Sequence, residues 1–176
     1  MNSHRKVFTL TNSIILITIL CYFLQTNIQY GDILFGLNIY FFTEGFYYQV
    51  VSTMFAHGGI EHLVMNMIVL WQMGNLIEGY IGKGRFFLIY MIGGILTSVG
   101  TLAYMYFTED FVNVVGASGA ISVIMGYYAL KVKEERKGIL VWIVLISFVP
   151  LMFGLPVAWY SHLIGFVIGF LAGFIL

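Results

Sequence analysis

Ser118 lies in the stretch VNVVGASGAISVIMG (112–126), between small residues and just ahead of an apolar run. A hydroxyl there has two uses. It is either a small group that lets helices touch, or a nucleophile, which a serine becomes only when a base takes its proton. Three other polar side chains bear on the choice. His62 and Asn66 occur in HGGIEHLVMNM, four residues apart and therefore on one face of a helix. His162 occurs in AWYSHLIGFVIGFLAGFIL.

The elements that must position these groups follow from composition. The chain has 176 residues, 60% of them hydrophobic and 9% charged, with a mean hydropathy of +0.94. A soluble domain of this length has no interior large enough for that much apolar surface. The expected class is an all-α membrane protein with one domain over 1–176. Its expected architecture is a six-transmembrane-helix bundle with helices at about 9–27, 58–80, 86–107, 117–130, 138–154 and 158–176, each measured against the ~20 apolar residues that cross a bilayer. The first run follows HRK, precedes Gln25, Thr26 and Asn27, and has no small-x-small cleavage site, so it is expected to be a retained helix rather than a signal peptide. Segment 28–57, with YFFTEGFYYQ, is too polar and broken to span and is expected to form a long outer loop at the interface, between the first and second helices.

Charge sets the expected orientation. Arg5 and Lys6 precede the first helix, Lys83 and Arg85 separate the second and third, and Lys131, Lys133, Arg136 and Lys137 separate the fourth and fifth. Six helices place all eight Lys and Arg on one side, with Asp32, Glu44, Glu109 and Asp110 on the other. The positive-inside rule then predicts a multi-pass protein of the cell membrane with both termini cytoplasmic. Net charge is zero, which gives no sign of a nucleic-acid partner, and the single cysteine, Cys21, has no internal disulfide partner.

The fourth helix is short. Lys131 follows Ser118 by thirteen residues, about 20 Å of helix. With Lys131 at the inner surface, Ser118 opens its helix roughly 10 Å below the outer edge of the hydrocarbon. The non-helical backbone before it must then be covered by protein or line a wet cavity. His162 lies at nearly the same depth on the last helix, and His62 and Asn66 lie in the outer half of the second. Histidine and asparagine facing lipid are costly, so all are expected to point inward. Ser118, Ser122 and Gly126 form one small-residue stripe, and Ser161, Gly165, Gly169 and Gly173 another. Docked together, they would bring Ser118 and His162 within hydrogen-bonding range.

On these residues the chain resembles the rhomboid intramembrane serine proteases in their compact six-helix bacterial form, over about 45–173. The resemblance rests on HGGIEHLVMNM with His57, His62 and Asn66, on GASG (116–119), on AWYSHLIGFVIG, and on MGNLIEGYIGKGRF with Gly74 and Glu78. It implies a Ser118 nucleophile and a His162 general base, with no aspartate. It implies an oxyanion hole from His62, Asn66 and the Ser118 N–H. It also implies close backbone approach at Gly116, and tight helix contacts at Gly119, Gly165 and Gly169. The implied activity is endopeptidase cleavage of single-span membrane proteins near the outer face, without metal or cofactor. Two positions depart from the family pattern. Tyr48 and Gln49 stand where members often carry Trp-Arg in the outer loop. Ser122 stands where several carry a tyrosine stacked on the histidine, so His162 needs another orienting contact, for which Tyr160 and Trp159 are the candidates.

Blander assignments cover the remaining groups. His57 at the loop edge is expected to be structural or water-organising, and Glu78 structural. KVKEERK is expected to be a solvated cytoplasmic loop. The histidines carry no zinc-site spacing. Two other functions compete: a rhomboid-like binder of transmembrane helices that does not cut, which would be expected to lack the serine or histidine, and a small transporter, which would favour internal repeats or a paired intramembrane charge. Nothing in the sequence sets an oligomeric state.

Overall fold

A computed structural model describes residues 8–154 and 156–176. His4, Arg5 and Lys6 lie outside the described residues. Among the described residues there are six long helical segments. The first is α1, Leu10–Thr26. Three short helices follow: α2, Gly31–Phe35; α3, Tyr40–Thr43; and α4, Gln49–Ser52. A second rod covers 60–81 as α5, Ile60–Val69, a π-helical turn, Leu70–Gly74, and α6, Asn75–Ile81. Then come α7, Lys83–Thr108; α8, Ser118–Lys131; α9, Arg136–Met152; and α10, Trp159–Ala172.

Segment 28–57 is therefore more ordered than the loop expected from sequence. Its anchor is Gln49, fully buried, whose Oε1 accepts the Asn38 N–H at 3.3 Å and whose Nε2 donates to the carbonyls of Ile33 and Leu34, each at 3.3 Å. Asn38 in turn donates to the carbonyls of Ile33 (2.7 Å) and Gly36 (3.1 Å) and to Asn113 Oδ1 (2.9 Å). A pair of neutral amides thus satisfies the backbone of this segment, at one of the two positions where the Trp-Arg pair is missing. Leu37 and Val114 exchange two backbone bonds, at 2.8 and 2.9 Å, tying the segment to the stretch before Ser118.

Helix boundaries shift at two charged positions. Lys83 and Arg85 are not in a loop: Gly82, at φ +83°, is the whole connection, and both residues lie in the first turn of α7. Arg136 and Lys137 likewise open α9, where the Arg136 Nε donates to Ala129 O at 2.8 Å near the end of α8. The last helix stops at Ala172, short of 176.

α8 is the central element. Every residue from Ala120 to Tyr127 is buried, so the helix is enclosed on all sides. α10 lies along it at backbone contact distance. A Cβ at Gly126 would run into the Phe166 carbonyl, one at Gly169 into the Val123 carbonyl, and one at Gly165 into the Gly119 carbonyl. The two small-residue stripes do face each other, and the contact is van der Waals packing of the kind that holds helices together in lipid. Outside this centre the surface is apolar. Phe87, Leu88, Ile92, Leu96 and Val99 of α7, and Leu140, Val141, Trp142, Val144 and Leu145 of α9, are all exposed. Water does not tolerate patches of that extent on a monomer, whereas a hydrocarbon surrounding does. By length and composition, α7, at 26 residues, can cross a membrane alone; α1 and α10 are shorter apolar helices.

The first turn of α1 is held by the neighbouring α6. Glu78 on α6 is buried, and its carboxylate accepts the N–H groups of Leu10 (2.9 Å) and Thr11 (2.7 Å) and the Thr11 hydroxyl (2.8 Å). Thr9 Oγ1 accepts the Asn12 N–H at 3.1 Å. These bonds satisfy donors that every helix leaves open at its start and place a negative group where the helix dipole favours it. The structural role expected of Glu78 is what the geometry shows.

Candidate active site

Ser118 opens α8 at the end of a tethered strand of chain. Thr53 Oγ1 donates to the Val114 carbonyl at 2.7 Å, and the Gly116 N–H donates to the Thr53 carbonyl at 2.9 Å. Gly116 takes φ +127°, a conformation other residues rarely adopt. A side chain there would also strike the His62 ring, whose Cε1 and Nε2 would lie 2.8 and 2.9 Å from the added Cβ. The His62 ring therefore faces the turn that presents Ser118.

His57, buried to 1% exposure, supports the next residue. Its Nε2 accepts the Ala117 N–H at 3.4 Å, while Nδ1 lies 3.3 Å from the Phe55 carbonyl. The two bonds fit one neutral tautomer, with the proton on Nδ1. Burial holds this ring down at about 4, with the neighbouring His62 adding to the effect and the Phe55 carbonyl opposing it. The His57 and His62 rings meet edge to face at 5.1 Å. His57 thus has the structural role expected of it, as a wedge under the turn.

α10 brings His162 to the serine. His162 Nε2 lies 2.9 Å from Ser118 Oγ, with the imidazole buried and the serine half-buried. The close approach of α8 and α10 at Gly119 and Gly165 makes this distance attainable: a Cβ at Gly119 would already press on Thr97 and Ser161, at 3.1 and 3.2 Å. Ser122, where a tyrosine was a possible partner, instead turns its hydroxyl to the Ser118 carbonyl at 2.8 Å.

The second ring nitrogen of His162 faces a different helix from the aromatic candidates. Tyr160 stacks on Tyr104, with ring centres 4.0 Å apart, and Trp159 packs against Phe148 and Tyr104. The partner of His162 Nδ1 is Ser147, on α9, with its Oγ at 3.2 Å. The sequence contained one signal for it: Ile139, Ile143 and Ser147 recur every four residues, and these are the buried positions of α9. Asn66 is buried one turn along from His62, and its Nδ2 donates to the His62 carbonyl at 2.9 Å. Among the described residues no group of three or more His, Cys, Asp or Glu is placed to hold a metal ion.

A serine hydroxyl 2.9 Å from an imidazole, inside an all-helical bundle with an apolar exterior, has the character of a membrane protein with a polar site. Comparison with known proteins agrees: the rhomboid domain family matches residues 44–176, and the chain belongs to the rhomboid family. It is an integral membrane protein of that fold. It is 32% identical over 145 residues to YdcA of Bacillus subtilis (strain 168), covering 75% of this chain and 68% of that protein. It is 31% identical over 136 residues to the rhomboid protease GluP of the same organism, covering 73% of this chain but 26% of the relative. It is 34% identical over 137 residues to RHOMBOID-like protein 4 of Arabidopsis thaliana, covering 73% of this chain and 34% of the relative.

Proposed function

We propose that this protein is an intramembrane serine endopeptidase that cuts single-span membrane proteins near the outer face of the bilayer. The observation that carries the reading is the 2.9 Å separation of His162 Nε2 and Ser118 Oγ. In this mechanism His162 Nε2 takes the Ser118 proton as Oγ attacks the substrate carbonyl carbon. The carbonyl electrons move onto oxygen. The oxyanion is met by the Ser118 N–H at the open start of α8 and by donors from His62 and Asn66, each supplying a few kcal/mol of the stabilisation such holes give. The C–N bond then breaks, and the imidazolium returns its proton to the leaving amine. Water repeats the sequence on the acyl-enzyme, with His162 again taking and returning one proton. A neutral Ser–His pair does this without a buried carboxylate, which suits an apolar surrounding.

Residues 1–176 act in this proposal as one domain with six membrane spans, and the basic ends of the helices put both termini in the cytoplasm of a cell-membrane protein. The substrates are transmembrane helices that approach through the lipid. The test is a mechanism-based serine-hydrolase probe applied to the purified protein in detergent. Labelling at Ser118, absent from Ser118→Ala, is expected. An unlabelled, folded wild type would favour a helix-binding protein that does not cut.

A further inference from the structure

Within the apolar helix α9, Ser147 is fully buried. A hydroxyl inside a helix usually bonds back to the carbonyl four residues earlier. Thr18, Thr97, Ser98 and Ser122 all do so here. Ser147 instead reaches across to another helix, where its Oγ lies 3.2 Å from His162 Nδ1. The other ring nitrogen faces Ser118. A neutral imidazole has one N–H and one lone pair, and a bond at one nitrogen decides which is which.

We propose that Ser147 is a positioning residue for the base, accepting the His162 Nδ1–H and so presenting the Nε2 lone pair to Ser118. This rests on the dyad reading of Ser118 and His162. Ser147 fills from α9 the role that an aromatic ring at position 122 would play from α8. The opposite tautomer would aim an N–H at the Ser118 oxygen and could not accept its proton. A hydroxyl carries no charge, so it holds tautomer and ring angle rather than stabilising the imidazolium as a carboxylate does. Its loss is therefore expected to cost about tenfold or somewhat more, part of the 10²–10⁴ that a positioned base contributes.

The test has two arms. In the first, ¹⁵N-histidine NMR of the full-length wild type in detergent micelles reads the His162 ring. A dominant Nδ1–H tautomer is expected, and a dominant Nε2–H tautomer would overturn the proposal with no variant needed. In the second, Ser147→Ala and Ser147→Thr are assayed on a model transmembrane substrate. Ser147→Ala is expected to lower kcat about tenfold with KM within about twofold, and to lose the single tautomer. Ser147→Thr, which keeps the hydroxyl, is expected to recover most of both. A Ser147→Ala protein with wild-type kcat and an unchanged tautomer would reduce Ser147 to packing. Failure of the dyad reading shows separately, as a wild type that takes no probe at Ser118, while the tautomer is still read from the ring itself.

Discussion

Gln25 and His57 exchange two hydrogen bonds through one side-chain amide: Gln25 Nε2 donates to the His57 carbonyl at 2.8 Å, and the His57 N–H donates to Gln25 Oε1 at 2.9 Å. The end of α1 is thereby bonded to the loop that wedges the turn before Ser118. Replacing Gln25 with Leu leaves two buried backbone groups unpaired, at about 1–3 kcal/mol each. Gln25→Leu is expected to lower the Tm in detergent by several degrees and to reduce proteolysis, although Gln25 touches neither member of the dyad. Unchanged values of both would show that the loop holds without this clamp.

Ser118→Ala and His162→Ala are each expected to abolish cleavage while leaving a folded, membrane-inserted protein. Groups that act as one unit give non-additive losses, so the double variant should be little worse than either single one. Rates for all three, with Tm as a check on folding, decide this. Substantial cleavage by purified Ser118→Ala would remove the serine from the mechanism.

Stability should depend on acid through His57. The folded ring is held at about 4, against an ordinary value of 6.5, so between these values the unfolded chain binds a proton that the folded one refuses. Stability then rises with pH across this window: it is full above about 6.5 and lost as pH falls towards about 4. Tm is expected to drop over this range in the wild type and to drop less in His57→Gln. Equal slopes would place the acid-sensitive group elsewhere.

Orientation can be read with thiols. In a Cys21→Ser background, single cysteines replacing the exposed Tyr47 and Lys133 should react with impermeant reagents from opposite sides of the membrane. Asn38, in the same outer segment as Tyr47, is unsuitable because it is buried in the Gln49 network. Reaction of both cysteines from one side would overturn the six-span topology.

Substrate choice should follow helix unwinding. A transmembrane helix hides its peptide bonds, and each backbone group freed in lipid costs several kcal/mol. Cleavage is expected to be fast where Gly, Pro or polar residues lie in the outer part of the substrate helix. Replacing those residues with Leu, with the cut site untouched, should slow it strongly. An unchanged rate would mean that the enzyme takes a segment already extended outside the membrane.

The parts of this molecule legible in the sequence are those set by spacing. The stripes through Ser118, Ser122 and Gly126 and through Ser161, Gly165 and Gly169 specify a helix–helix contact, and that contact carries Ser118 and His162 to one another. The partner of Ser147 was not legible: its spacing from Ile139 and Ile143 marks a shared helix face, but a serine there looks the same whether it bonds to its own backbone or to a neighbour. Gln49 was not legible either: its partners Ile33, Leu34 and Asn38 are assembled only when 28–57 folds. Helices of four or five residues such as α2, α3 and α4 are too short to show a period. The one-residue link at Gly82 hid the true start of α7, since charged residues beside a glycine also resemble a loop.

The clamp of Glu78 on Thr11 and the clamp of Gln25 on His57 lie fourteen residues apart along α1, about 21 Å of helix. One helix is thus gripped at both ends, and the upper grip leads through His57 to Ala117, the residue before Ser118. α1 works as a ruler. It sets how far Ser118 stands from the Glu78 level by a fixed length of hydrogen-bonded backbone, which neither stretches nor slips without breaking one grip. A bilayer of different thickness cannot move the serine within the protein. The mismatch is taken up by tilt or by local thinning or thickening of the lipid, so an endopeptidase of the kind proposed would meet different points along a substrate helix in membranes of different thickness.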